Sequence, residues 1–307
     1  MYKRQPYYHA RDTALMLGHF LRAPILLGSA TPSIESYSHA LNEKWGLVSL
    51  TQRFGNAQLP QIVAVDIKKD KINPKSYAFS RSLIKLLEDC LEKKEQAILF
   101  QNRRGYAPFL MCDECNEIPK CPNCDVSLTY HLYNEELCCH YCGYIDSSAI
   151  QQCQSCGSHK INMMGQGTEK IEDELQLIFP EAKIQRMDLD TTRAKDAYQK
   201  IINEFANQNI DFLIGTQMVS KGLDFESVNT VVVFDFDRMV NFPDFRANER
   251  TFQMIMQVSG RAGRRNTQGK VLIETKDTQQ TILNKIKKGD YWTFYKEEIQ
   301  ELSLIHI

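Results

Sequence analysis

The chain has 307 residues, 43% hydrophobic and 24% charged, ordinary values for a globular protein of two domains or of one large domain with an insertion. A formal net charge of −1 excludes a global positive field, so a polyanionic partner must be met by local groups. No apolar run approaches the ~20 residues that span a bilayer, and no hydrophobic stretch backs Met1–Pro6 as a secretion signal would require.

In chain order, short apolar runs alternate with amphipathic stripes, the pattern of βαβ units and a parallel sheet. The runs predict strands at Ile25–Leu27, Ile62–Asp66, Ala97–Gln101, Lys183–Met187, Phe212–Gly215, Thr230–Phe234 and Lys270–Glu274. Between them, period-3.6 faces predict helices through Leu83, Leu87, Cys90 and Leu91, through Ile171, Leu175 and Ile178, and through Tyr198, Ile201, Ile202 and Phe205. These stripes are core positions. The polar stretch Lys68–Lys75 reads as a solvated loop. The alternation stops near Met111 and resumes near Ile161, and the segment between has too few apolar residues to hold itself by a core.

Nine of the ten cysteines fall between Cys112 and Cys156. Without a secretion signal, that clustering favours metal ligation in a reducing cytoplasm over disulfides. Four Cys-x-x-Cys pairs follow one another: Cys112/Cys115, Cys121/Cys124, Cys139/Cys142 and Cys153/Cys156. A two-residue gap lets both thiolates of a tight turn face one ion, and two pairs complete a tetrahedron. Eight ligands make two four-cysteine sites, with zinc favoured and iron–sulfur the competitor. Closed sites leave no position for water, so the ions are expected to be structural. Gly143 and Gly157 follow their pairs where a turn needs φ > 0. Cys138, Cys90, His131, His140 and His159 are left outside the ligand set. Spacing alone leaves three ways of combining the pairs open.

The flanks carry three further motifs. Gln257, Gly260, Arg261, Gly263 and Arg264 form a Q-x-x-G-R-x-G-R run at the end of a helical pattern that starts near Arg246. It resembles motif VI of superfamily 2 helicases, and two arginines three apart would share a helical face as phosphate partners. Thr216, Gln217, Lys221, Gly222 and Asp224 lie in GTQMVSKGLD after a strand, resembling motif V, whose loop touches the DNA backbone and the nucleotide site. Gly28–Ser33 (GSATPS) resembles motif III, with Thr31 expected as helix N-cap and Pro32 in the first turn.

Together with YHARD at Tyr8–Asp12, NRRGYAP at Asn102–Pro108, CPNCD, HYCG, GTEK at Gly167–Lys170 and DFRANERTFQMIMQVSGRAGR, these motifs resemble the PriA family of superfamily 2 replication-restart helicases over more than nine-tenths of the chain. The resemblance implies nested zinc pairing, Cys112/Cys115 with Cys153/Cys156 outside and Cys121/Cys124 with Cys139/Cys142 inside. It further implies ATP-driven, Mg2+-dependent 3′-to-5′ unwinding of forked and single-stranded DNA, with primosome proteins and single-stranded-DNA-binding protein as partners. Arg264 would be the finger on the γ-phosphate, with Arg261 and Gln257 beside it and Gly260, Gly263, Gly222 and Asp224 around the nucleotide. Thr216, Gln217, Lys221, Thr31 and Tyr8 would face DNA, Tyr8 being open to a base-stacking or a core role. Neither a G-x-x-x-x-G-K-[ST] loop nor a DExH box occurs. The family places both ahead of YHARD, so a longer protein is expected, truncated here at both ends.

The expected architecture is α/β: a RecA-like doubly wound parallel sheet, the second helicase lobe, with an inserted two-zinc ribbon whose ligands are all cysteines. Residues 1–55 would be the tail of the first lobe, 56–110 and 158–290 the second lobe, 111–157 the insertion, and 291–307 the start of a C-terminal region. Two competing readings are a non-catalytic zinc ribbon that binds nucleic acid or scaffolds partners, and a fork-remodelling translocase of another branch.

Overall fold

The structure, a computed structural model, describes residues 8–50, 58–70, 79–102, 109–131, 136–139, 141–146, 152–163, 168–188, 191–192, 196–219, 225–263 and 268–305. The chain divides into two compact units, Met1–Leu47 and Val48–Ile307.

The first unit holds α1 (Ala10–Leu21) and α2 (Ile34–Leu41). Ser33 caps α2, its hydroxyl accepting from the Ser36 amide at 3.3 Å. Thr31 therefore lies ahead of the cap, its amide donating to Ser29 Oγ at 3.1 Å, and the expected Thr31 cap is corrected to Ser33. The hydroxyl two residues on is the one within reach of the first-turn amides. Ile25–Leu27 forms no strand. A strand exists only with a ladder partner, and among the described residues none pairs with this run, which leaves Leu26 96% exposed.

The second unit is built on six parallel strands. In chain order its elements are β1 (Gln61–Asp66), α3 (Arg81–Glu92), β2 (Gln96–Gln101), β3 (Leu110–Cys112), β4 (Thr129–His131), β5 (Glu136–Cys138), β6 (Ile145–Asp146), β7 (Ile161–Met163), α4 (Thr168–Ile178), β8 (Ile184–Met187), α5 (Ala197–Ala206), β9 (Phe212–Gly215), β10 (Val228–Phe234), α6 (Phe236–Val240), α7 (Ala247–Ser259), β11 (Lys270–Thr275), α8 (Thr281–Lys288) and α9 (Tyr291–Ile305). The main sheet runs β1-β11-β10-β2-β9-β8, every pairing parallel. Its central strands β11, β10, β2 and β9 read as near-continuous apolar runs because both faces are covered.

Period 2 along β2 sorts the two cores. Ala97 and Leu99 join Leu83 and Leu87 of α3 and Ile171 and Leu175 of α4 on one face. Ile98 and Phe100 join Phe205 of α5, Phe252 and Ile255 of α7 and Ile282 of α8 on the other. The sheet is doubly wound, as the alternation of runs and stripes predicts.

The insertion leaves the carboxyl end of β2. Its base is closed by antiparallel pairing of β3 with β7, Cys112 opposite Ile161, and β4-β5-β6 form a small antiparallel sheet within it. Its apolar clusters are small, and Cys121 and Cys139 are themselves members of one.

Candidate metal centres and motor residues

The insertion gathers its cysteines into two tetrads, Cys112, Cys115, Cys153 and Cys156, and Cys121, Cys124, Cys139 and Cys142, the four sulfurs of each within 4.8 Å of one another. The pairing is nested. Sulfur separations of 3.6 Å for Cys112–Cys156, 3.5 Å for Cys115–Cys153 and 3.5 Å for Cys121–Cys142 are far too long for disulfides. They sit close to the about 3.8 Å that ~2.3 Å zinc–thiolate bonds impose at a tetrahedral angle. The donor set therefore fits zinc. Cys138 on β5 is outside both tetrads. Cys90 is buried on α3, its thiol pushed up to about 12 by burial and donating to the Glu95 carbonyl at 3.2 Å.

One backbone device is used four times. The amide after each pair turns back to the carbonyl of its first cysteine: Asn116 to Cys112 at 3.0 Å, Asp125 to Cys121 at 3.0 Å, Gly143 to Cys139 at 2.8 Å and Gly157 to Cys153 at 2.9 Å. That residue has φ of 64°, 50°, 76° and 72° respectively. The glycines are legible in the sequence. Asn116 and Asp125 fill the same left-handed position without standing out there, although they are the residue types that tolerate it next best.

Charged and polar bridges tie the module to the carboxyl end of the sheet. Lys276, just past β11, reaches Asp113 Oδ1 at 2.8 Å with Nζ and accepts from Asn116 Nδ2 at 3.1 Å with its carbonyl. Lys68, expected in a solvated loop, instead donates to the Asp113 carbonyl from beyond β1. Asp237 anchors the same edge. It accepts from Thr275 Oγ1 at 2.6 Å, the Lys276 amide at 2.8 Å and Gln280 Nε2 at 2.9 Å, while burial raises its pKa. Periodicity gives no signal for these contacts, since they join segments far apart in the chain.

The motor-like residues divide between the two ends of the strands. Thr216 and Gln217 follow the carboxyl end of β9, the end that carries the module. Gly215 is required just before them, because a Cβ there would lie 2.2 Å from Val219 Cγ1 and 3.2 Å from the Met187 carbonyl. Gln257 is exposed on α7, which stops at Ser259 with Gly260 as its cap. Arg261 thus lies in a turn past the helix, which corrects the expected shared helical face: with φ of 71° at Gly263 the backbone leaves the helical path. The Gly263 amide donates to the Val228 carbonyl at 3.1 Å, fixing this turn at the amino end of β10. Gly269 passes so close that a Cβ would lie 2.5 Å from the Ala262 carbonyl carbon. Lys221, Gly222, Asp224 and Arg264 lie outside the described residues.

In the first unit, Arg11 donates to Ser33 Oγ at 2.5 Å and Ser36 Oγ at 2.7 Å, joining the YHARD segment to the GSATPS turn. Tyr8 is 77% exposed there, and Thr31 is half-buried.

Comparison with known proteins adds three findings. A family model described as "Helicase conserved C-terminal domain" matches residues 147–266, and one described as "PriA DNA helicase Cys-rich region (CRR) domain" matches residues 121–145. Replication restart protein PriA of Bacillus subtilis (strain 168) is 42% identical over 300 residues, 97% of this chain and 37% of the relative. That of Chlamydia pneumoniae is 40% identical over 296 residues, 96% of this chain and 40% of the relative. Among solved structures, RecG bound to a three-way DNA junction aligns with a TM-score of 0.49 and 12% identity, over 88% of this chain and 26% of that one. The chain spans about two-fifths of the length of the curated relatives it matches.

A parallel doubly wound sheet with a cysteine-tetrad insertion defines a RecA-like helicase lobe carrying a zinc ribbon. Within that class, the chain belongs to the PriA family of replication restart proteins.

Proposed function

We propose that this chain works within an ATP-dependent DNA helicase that restarts stalled replication forks, unwinding 3′ to 5′ and recruiting primosome proteins and single-stranded-DNA-binding protein. The observation that carries the reading is the division of labour across the sheet. Thr216, Gln217 and the zinc module share the carboxyl end of the strands, the end at which open α/β sheets bind ligands. The Arg261–Gly263 turn occupies the amino end. DNA and nucleotide would thus meet different ends of one layer, with Lys221 assigned to the DNA and Gly222 and Asp224 to the nucleotide by the family motif. Thr31 and Tyr8 would add contacts to the DNA strand, Tyr8 by stacking. Two zinc ions, one per tetrad, would hold the module's shape and take no part in chemistry. Residues 1–55 would then belong to the first lobe, 56–110 and 158–290 to the second, 111–157 to the insertion and 291–307 to a C-terminal region.

Phosphoryl transfer needs a phosphate-binding lysine and an acidic pair for Mg2+, and this chain has neither motif. Arg264, Arg261 and Gln257 would supply only the stabilising side of a composite site. The chain by itself should hydrolyse no ATP. In the full-length enzyme, Arg264→Ala should abolish DNA-stimulated ATPase while leaving DNA affinity nearly unchanged. Turnover at the wild-type rate in that variant would overturn the arginine-finger assignment.

A further inference from the structure

Between the zinc module and the helices of the second unit lies a cleft of about 790 Å3, within the ~300–1,000 Å3 of ordinary binding sites. The module gives it Ile118 and Val126, and the far wall gives Val240, Phe242, Phe294 and Leu302. The two walls are chemically alike at their rims. Seven carboxylates and two lysines line the cleft, in a chain whose net charge is only −1.

Both lysines are already engaged, Lys120 with Asp125 at 3.4 Å and Lys285 with Glu297 outside the lining. Glu298 is only 5% exposed, held by a long contact from Asn248 Nδ2 at 3.4 Å. Burial, and then the neighbouring Glu301, push its carboxyl up to about 7. Two buried amide oxygens of lining residues, Asn116 Oδ1 and Gln280 Oε1, have no hydrogen-bond partner among the described residues. Three of the carboxylates are engaged as well, Asp125 with Lys120, Asp244 with Arg250 and Asp237 with Thr275, Lys276 and Gln280. The rim carboxylates with no cationic partner among the described residues are Glu117, Asp277 and Glu301, above an apolar floor.

We propose that the cleft is a docking groove for a cationic amphipathic helix of a partner protein. Its lysine or arginine side chains would meet the rim carboxylates Glu117, Asp277 and Glu301, and its apolar face would lie on Ile118, Val240, Phe242 and Phe294. Single-stranded nucleic acid is the wrong sign for this lining. The proposal goes beyond the helicase reading and needs only that the module be folded with its metal, since one wall belongs to it.

The test is fluorescence anisotropy of a labelled amphipathic leucine–lysine peptide on the zinc-loaded chain. Glu117→Gln/Asp277→Asn/Glu301→Gln should weaken binding about tenfold or more. Glu88→Gln/Glu92→Gln/Glu181→Gln, the same charge change at exposed positions outside the cleft, should leave it unchanged. A leucine–glutamate peptide should not bind the wild-type chain, which keeps the proposal testable even if the cleft variant loses zinc. Equal binding of the two peptides, an unaltered cleft variant, or an equal loss in the control variant would each overturn it. So would oligothymidylate binding that the cleft variant abolishes, which would assign the groove to DNA. None of these substitutions touches a motor motif, so failure here leaves the helicase reading to its own ATPase test.

Discussion

At Asp125 the chain turns left-handed with φ of 50°, between a metal-binding pair and the small sheet of the insertion. The side chain is 83% exposed and its ion pair with Lys120 is a 3.4 Å surface contact, so for the turn itself the backbone conformation is what matters. Asp125→Gly is expected to hold zinc as the native chain does. Asp125→Val should cost about 1–2 kcal/mol, the steric penalty of a β-branched residue in this region. Urea unfolding followed by zinc release measures both, and equal stability of the two variants would mean that the turn relaxes instead of straining. Residue identity made the cysteines and Gly143 and Gly157 readable. It did not make Asn116 or Asp125 readable, because those types are as common in unstrained loops. Arg261 shows the opposite limit. Its spacing from Arg264 fits a helix, but α7 ends at Ser259 and Gly263, with φ of 71°, turns the backbone off the helical path.

Elements are started by buried polar groups as much as by apolar stripes. The Ser80 amide, at the N-cap of α3, donates to Glu274 Oε1 of β11 at 2.9 Å, and Ser80 Oγ accepts from the Leu83 amide at 3.2 Å. Burial is the main force on Glu274, pushing its carboxyl up to about 7 against the Ser80 hydrogen bonds, with Asp70 and Asp235 adding to the rise. A raised folded-state pKa means that stability is fully present below the unfolded value, about 4.5, and is lost as pH rises through about 7. The cost of ionising Glu274 in place is on the order of 3 kcal/mol. Glu274→Gln keeps an acceptor for Ser80 and should stabilise the protein at pH 8 by an amount that shrinks towards zero at pH 5. Denaturant titrations of both proteins at the two pH values check this. A difference independent of pH would show that the carboxylate stays charged in the fold. The central strands β2, β9, β10 and β11 were legible because each is an apolar run buried on both faces. Ile25–Leu27 has the same composition and forms no strand, since among the described residues no neighbour pairs with it.

Across the whole molecule, the sheet and the insertion draw on separate sources of stability. The two large cores contain residues of the parallel sheet and its helices and none of the insertion. The insertion's own clusters are too small to order it, and cysteines sit inside one of them. Stripping zinc with a strong chelator should therefore open residues 110–163 to proteolysis while the sheet keeps its far-ultraviolet circular dichroism and a cooperative melt. Loss of both together would show that the module props up the sheet. Single-ligand variants divide the two sites: Cys139→Ser should lower bound zinc from about two ions per chain towards about one.

The amino-acid sequence by itself determined the alternation of strands and helices, the eight thiols in pairs, and the motifs that tie the chain to its family. Those features are local, set by period, turn chemistry and ligand spacing over a few residues. The nested pairing implied by the family resemblance is the one in which the structure gathers the sulfurs. Only the tertiary structure decided that Arg261 and Thr216 stand at opposite ends of the sheet, and that module and helices enclose an acidic cleft. Each of those depends on where distant segments are brought together, and strand order and chain packing, not local propensity, set that.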